Sequence, residues 1–286
     1  MFVSSNLLKD LLPYYKRKLS QNYDQREIES IFFLVCFYLF NLSKIQVLNN
    51  EKRLTESELL SQRDMVERLQ KNEPLQYVLG YTEFYGLKIN VTPATLIPRP
   101  ETEELVDYIL KDIGSKNNLA ILDIGTGSGC IAIALKKNSP TSNVSALDFS
   151  DETLKVAKHN AVLNGVEINS WNENILESDL KTISDLDVIV SNPPYIPNSD
   201  KSSMHKNVLE HEPHSALFVD DSNPLIFFQR IIELGVLKLK SGGKIYFEIH
   251  PPFSEEIIRI LKNLMYNEVV VVKDLGGTNR FVIATK

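Results

Sequence analysis

Apolar positions recur every three or four residues through the first 75 residues of the chain. Leu7, Leu8, Leu11 and Leu12 form one stripe, Ile28, Ile31, Phe32 and Val35 a second, and Leu54 to Leu69 holds a third. Each spacing gathers apolar side chains on one face of an α-helix. Thr55-Glu56-Ser57-Glu58 stands at the start of the third stripe, and threonine followed three residues later by glutamate predicts a capped helix start. Residues 1–75 therefore predict a small helical bundle with its boundary at Pro74. The apolar stretch Ile31 to Phe40 is too short to span a bilayer and reads as a core helix.

Beyond Pro74 the pattern changes. Tyr81 to Ile89 mixes aromatic and branched residues around Gly86, and Lys88 to Val91 alternates, so residues 76–97 predict a linker carrying a β-hairpin. Pro98-Arg99-Pro100 then restricts the backbone ahead of a helix over Glu101 to Leu110. Strands are expected at Ala120 to Ile124, Val144 to Asp148, Asp187 to Ser191, Lys244 to Ile249, Glu268 to Lys273 and Arg280 to Thr285. Helices are expected over Gly129 to Lys137, Asp151 to Leu163, Pro224 to Leu237 and Ser254 to Leu264. Trp171 to Leu176 adds a weak strand pattern. This alternation predicts an α/β domain over residues 98–286, its mostly parallel sheet covered on both faces.

Composition narrows the class. A 43% hydrophobic content over 286 residues suffices for ordinary buried cores. The net charge of -6 argues against binding driven by a broad cationic surface. Residues 1–80 carry 11 Lys/Arg against 10 Asp/Glu, so the acidity belongs to the downstream part. With only Cys36 and Cys130, a dense disulfide framework is excluded and a reducing cytoplasm is the simpler setting. His211-Glu212-Pro213-His214 is the closest approach to a metal cluster, but proline interrupts a metal-presenting helix and no cysteine completes a zinc pattern; no metal is expected.

Two motifs carry the chemistry. Asp123-Ile124-Gly125-Thr126-Gly127-Ser128-Gly129 follows an expected strand and opens an expected helix, where a doubly wound sheet holds a nucleoside cofactor. Its Gly-x-Gly-x-Gly spacing differs from the dinucleotide fingerprint, whose third glycine comes one residue later. Backbone at Gly125, Thr126, Gly127 and Gly129 is the candidate cofactor cradle, because glycine permits a close approach. Asp148 ends the next strand, placed to accept from ribose hydroxyls; capping of the following helix, open also to Ser150 and Asp151, is the alternative.

The second motif, Asn192-Pro193-Pro194-Tyr195, stops the strand ending at Ser191. Asparagine both accepts and donates, Pro193 and Pro194 expose carbonyl acceptors in a restrained loop, and Tyr195 can wall a flat pocket. Such a set suits a neutral planar nitrogen, whose hydrogens the acceptors hold while its lone pair attacks a sulfonium methyl. Asn192, Pro193 and Tyr195 are the candidate catalytic residues, with a plain strand-to-loop turn as the alternative.

The complete pattern resembles the HemK/PrmC family of protein-(glutamine) methyltransferases. The matching features are Pro74-Leu75-Gln76-Tyr77 with Gly80, Ile97-Pro98-Arg99-Pro100-Glu101-Thr102-Glu103, the glycine turn, and Val190-Ser191-Asn192-Pro193-Pro194-Tyr195-Ile196. Glu212-Pro213 and Asp274-Leu275-Gly276-Gly277 through Arg280 add to the match, which spans essentially the whole chain. The resemblance implies a Rossmann-like seven-stranded methyltransferase sheet preceded by a substrate-recognising helical bundle and a linking hairpin. It implies S-adenosylmethionine as donor and, as partners, peptide chain release factors of both stop-codon specificity classes, methylated on the glutamine of their Gly-Gly-Gln loop. A cytoplasmic monomer is expected, without direct contact to nucleic acid or membrane.

By the same resemblance Gly125, Thr126, Gly127 and Asp148 line the donor site, with Asn192 bordering it. Asn192 and Pro193 hold the acceptor amide, flanked by Pro194 and Tyr195, and Arg99, Pro100 and Thr102 lie in a loop beside both ligands. A surface ion pair is the alternative for Arg99, and helix entry for Thr102. Where many relatives place an acidic residue toward the adenine amino group, this chain has Asn174, whose amide oxygen accepts the same bond without charge assistance. Trp171 is a packing residue before it is a stacking platform, and Glu248 either supports the active-site loops or caps an element end. Two other readings stay open. Amino methylation of adenine in nucleic acid is chemically close, although no long basic tract serves it, and a catalytically silent binding module would use the same turns.

Overall fold

The computed structural model describes residues 5–49, 51–183 and 185–286. The chain divides into a helical unit, residues 5–80 with His205–His211, and an α/β unit, Tyr81–Met204 with Glu212–Lys286.

The helical unit contains α1 (Leu12–Leu19), α2 (Gln25–Phe40), α3 (Lys44–Asn49), α4 (Glu56–Gln70) and α5 (Leu75–Leu79). Asp24 caps α2 by accepting from the backbone N–H groups of Arg26 and Glu27, and Thr55 with Glu58 forms a reciprocal capping box at α4. Both devices satisfy donors that a helix start otherwise leaves bare. Ile28, Ile31, Phe32 and Val35 are all buried, and the Phe32 ring meets Tyr15 edge-on at 5.1 Å. Leu34, Phe37 and Tyr38 are exposed, so the run Ile31 to Phe40 buries one face and leaves the other outside the core.

The α/β unit opens with the hairpin β1 (Tyr81–Phe84) and β2 (Leu87–Asn90). It continues through α6 (Pro100–Ile113), β3 (Ala120–Ile124), α7 (Cys130–Asn138), β4 (Asn143–Asp148), α8 (Asp151–Leu163), β5 (Asn169–Asn172), β6 (Leu186–Ser191) and the short β7 (Ile196–Pro197). After α9 (Lys206–His211), which belongs to the helical unit, come β8 (Phe218–Val219), α10 (Ile226–Lys238), β9 (Leu239–Glu248), α11 (Ser254–Asn263), β10 (Asn267–Lys273) and β11 (Asn279–Thr285).

Seven of these strands form one sheet in the order β10-β11-β9-β6-β3-β4-β5. Pairing is parallel from β9 across to β5 and antiparallel on both sides of β11. In β3 the consecutive residues Ile121, Leu122, Asp123 and Ile124 are all buried, which requires cover on both faces of the sheet. The chain builds outward from β3 to β5, then returns to lay β6 on the other side of β3. At such a reversal the two connections leave the strand ends in opposite directions and open a crevice between them.

Two elements depart from the sequence pattern. β9 begins at Leu239 and not at Lys244, because Leu239 pairs with Leu186 and Gly242, at φ +78°, lets the register shift between them. β5 covers Asn169–Asn172 and stops short of Leu176. There the Asn174 side chain accepts from the Leu176 backbone N–H at 3.1 Å, an Asx turn that leads the chain out of the sheet. No helix among the described residues is long and apolar enough to cross a membrane.

Candidate active site

Ile124 and Ser191 are register partners at the ends of β3 and β6, so the glycine turn and the Asn-Pro-Pro segment begin side by side. The Ser191 hydroxyl donates to the Ile124 carbonyl at 2.7 Å and ties the two strand ends together. A cavity of about 360 Å³ opens directly beyond them. Gly125, Gly127, Asp148, Asn174 and Asn192 line it, with Pro193 and Pro194. Gly125 and Gly127 have φ of +72° and +56°, and a Cβ built on either would meet no atom within 4 Å. The turn is thus kept bare on its open side.

Asp148, 7% exposed, accepts from the Gly127 backbone N–H at 3.0 Å and from Ser150 N–H at 3.1 Å. Its carboxyl pKa is raised, chiefly by burial. Ser150, not Asp148, caps α8, accepting from Thr153 N–H at 3.3 Å. Asp148 therefore braces the glycine turn while bordering the cavity. Sequence reading gave no role to Asp123, which lies fully buried beneath the turn. Its Oδ2 accepts from Thr126 Oγ1 at 2.6 Å and Ala132 N–H at 3.2 Å, its Oδ1 has no partner, and burial pushes it up to about 7.

Not every predicted donor residue reaches the cavity. Thr126 is buried against Asp123 and is absent from the lining, its hydroxyl spent on the turn. Gly129 also lies outside the lining: a Cβ there would stand 3.0 Å from Ala157 Cβ and Ile133 Cδ1, so its glycine serves the close packing of α7 on α8. Asn174 does line the cavity, but its side-chain oxygen accepts from Leu176 N–H. Glu173 beside it lines the cavity too and brings the acidic group, its carboxylate accepting from Ser178 Oγ. Trp171 packs on the sheet's hydrophobic core. Phe149, 59% exposed, Phe218 and Phe227 add aromatic wall. Of these only Phe149 had a local signal, a large apolar residue directly after a strand-ending aspartate.

On the acceptor side, Asn192 Nδ2 donates to Thr102 Oγ1 at 3.4 Å, and Thr102 Oγ1 donates to Glu248 at 2.6 Å. Thr102 sits in the first turn of α6 yet makes no cap; its hydroxyl points into this buried group. Burial pushes Glu248 up to about 7. Tyr195 departs from the expected pocket wall. Its ring stacks parallel on His250, centroids 5.9 Å apart, and lies outside the cavity lining, because an apolar ring finds the neighbouring core, with Phe253 against His250, before it finds solvent. Arg99 and Pro100 are likewise outside the lining. Arg99 pairs at 2.6 Å with Glu212, which is buried and also accepts from Ile97 N–H at 3.2 Å; the pair fixes the loop before α6. Asp274 accepts from Thr278 N–H at 2.9 Å and pairs with Arg280 at 3.0 Å, closing the terminal turn.

Both cysteines are buried and free, and burial pushes each thiol up to about 12, so neither is a nucleophile at neutral pH. Among the described residues no three His, Cys, Asp or Glu side chains gather as metal ligands.

A seven-stranded sheet with a bare glycine turn and a carboxylate at the ends of its first two strands, and Asn-Pro-Pro at the end of the adjoining strand, defines an S-adenosylmethionine-dependent methyltransferase. The methyltransferase small domain model matches residues 102–217, and the PrmC N-terminal domain model matches residues 10–80. The release factor glutamine methyltransferase of Flavobacterium psychrophilum is 43% identical over 281 residues, covering 96% of this chain and 98% of that one. The enzyme of the same name from Bacteroides thetaiotaomicron is 39% identical over 274 residues, with coverage of 96% and 98%. A crystal structure of a methyltransferase from Pyrococcus furiosus shares the fold, with a TM-score of 0.53 at 21% identity over 79% of this chain and 98% of that one. The chain belongs to the release factor glutamine methyltransferase family.

Proposed function

We propose that this protein methylates the side-chain amide nitrogen of the glutamine in the Gly-Gly-Gln loop of peptide chain release factors, with S-adenosylmethionine as donor. The observation that carries the reading is the pairing of Ile124 with Ser191, which sets a bare glycine turn and an Asn-Pro-Pro segment on one cavity. S-adenosylmethionine supplies a methyl group on a positively charged sulfur. Gly125 and Gly127 leave room for it, and Asp148 takes ribose hydroxyls on the lone pairs that its two backbone donors leave free. Glu173 and Asn174 stand at the same cavity for the base.

The acceptor nitrogen is neutral and weakly nucleophilic, so alignment carries most of the catalytic burden. Asn192 Oδ1 and the Pro193 carbonyl accept the two amide hydrogens and aim the nitrogen lone pair. As the carbon–nitrogen bond forms, the sulfur–methyl bond breaks and its electron pair stays on sulfur as the neutral thioether, one of those hydrogens leaves as a proton to solvent, and no strong base is required beforehand. Pro194 restrains the loop, the Tyr195–His250 stack braces it from the core, and the Arg99–Glu212 pair holds the segment leading to Pro100 and Thr102. The helical unit recognises the release factor, both stop-codon classes are substrates, and the enzyme works as a cytoplasmic monomer.

Incubation of each purified release factor with the protein and S-adenosylmethionine, followed by peptide mass spectrometry, tests this. One methyl group on the Gly-Gly-Gln glutamine is expected in both classes. Methylation of DNA adenine alone, with no glutamine product, would reject the substrate and keep the reaction type.

A further inference from the structure

Glu248 ends β9 with its side chain only 2% exposed. Its carboxylate accepts from Thr102 Oγ1 at 2.6 Å, and that same hydroxyl accepts from Asn192 Nδ2 at 3.4 Å. A carboxylate is costly to bury unless a donor meets it, and here the donor is a hydroxyl in the first turn of α6 that links it to Asn192 in the segment after β6. Arg280 of β11, itself paired with Asp274, faces the group, as do Glu101, Tyr195 and the Cys130 thiol.

The two ends of an asparagine amide have nearly the same shape and opposite hydrogen-bonding character, so only its partners decide which way round it stands. An ionised carboxylate accepts and never donates. We propose that Glu248 is a positioning residue that fixes the Asn192 amide with its nitrogen toward Thr102 and its oxygen toward the acceptor. The inference rests on the proposed function, in which that oxygen receives an amide hydrogen of the substrate glutamine. A protonated Glu248 can donate, and the discrimination weakens. With Glu248 held up to about 7 by burial, the clamp engages as pH rises through neutrality.

The test is Glu248→Gln in the full-length protein, with kcat and KM for intact release factor measured from about pH 5.5 to 9 alongside donor affinity by calorimetry. Wild-type kcat should rise with pH through about 7. The variant should lose that limb and fall roughly 10- to 100-fold in kcat, with KM and donor affinity within about twofold. A variant that keeps wild-type kcat, or keeps the same acid limb, overturns the proposal. Should Glu248→Gln not fold, Thr102→Val, which removes the bridging hydroxyl, is compared with Thr102→Ser, which retains it. Valine should lower kcat by about tenfold or more and serine should recover most of the loss; equal turnover in the two overturns the proposal. Failure of the wild type to methylate any release factor glutamine would bring down the substrate assignment and this inference with it, an outcome distinct from any result of the variants.

Discussion

Replacement of Asp148 by alanine isolates the donor site. The carboxylate has two backbone donors of its own, Gly127 N–H at 3.0 Å and Ser150 N–H at 3.1 Å, and borders the cavity with the lone pairs that remain. Hydrogen bonds to a charged group contribute about 1.5–3 kcal/mol, so Asp148→Ala should weaken donor binding roughly 10- to 150-fold. The fold should lose less, about 1 kcal/mol or below, because the freed Gly127 amide adjoins an open cavity that water can enter while a costly buried charge disappears. Calorimetry with S-adenosylmethionine and with S-adenosylhomocysteine reads the binding term, and urea unfolding reads the stability term. Asp148→Asn, which keeps an acceptor for the amides and removes the charge, should fall between alanine and wild type. Donor affinity within about threefold of wild type for a folded Asp148→Ala would refute the reasoning, since even one charged hydrogen bond contributes more than that.

Asn192→Ala should depress turnover by about 100-fold while donor affinity holds within a few fold, because alignment of the acceptor and not donor contact is lost; steady-state kinetics beside calorimetry decides it. Gly129→Ala should destabilise the protein by about 2–4 kcal/mol in urea unfolding, from its left-handed φ of +82° and from 3.0 Å contacts with Ala157 and Ile133 that leave no room for a methyl. Asp123, lifted by burial to about 7, contributes stability that is complete below its unfolded value and is lost as pH rises through about 7. Asp123→Asn should therefore flatten the decline in thermal midpoint across that window and equal or exceed wild-type stability at about pH 8; a difference between the two proteins that does not change with pH would count against a buried, titrating carboxylate.

The sheet was legible where local pattern and tertiary setting agree. β3 reads as a strand because its apolar residues are consecutive, and the glycine turn after it because no other residue type serves so bare a backbone. The start of β9 was hidden: Lys240-Ser241-Gly242-Gly243 looks like a loop, and the strand runs through it only because Leu239 and Lys244 on either side pair with Leu186 and Val188. The candidate site shows the same division. Asn192 and Asp148 announce themselves by standing at strand ends, while the Thr102–Glu248 bond joins residues 146 positions apart and no local window contains it. Tyr195 was legible as part of the motif, but its direction was set by His250 and the core beside it.

The segment His205–His211 returns to the helical unit after the chain has already built most of the α/β unit, and His211 Nε2 lies 2.9 Å from the Lys71 carbonyl. Most of the helical unit leaves the ribosome before the α/β unit, yet its last contacts wait for residues made long after. Domains made in one continuous stretch can finish folding as they emerge, whereas this one gains its last segment only after β3, β4, β5 and β6 have all been translated. A chain broken off before residue 205 would carry both chemical motifs and a helical unit without its last segment. Completion of the helical unit is thereby tied to the arrival of the strands that hold the active site.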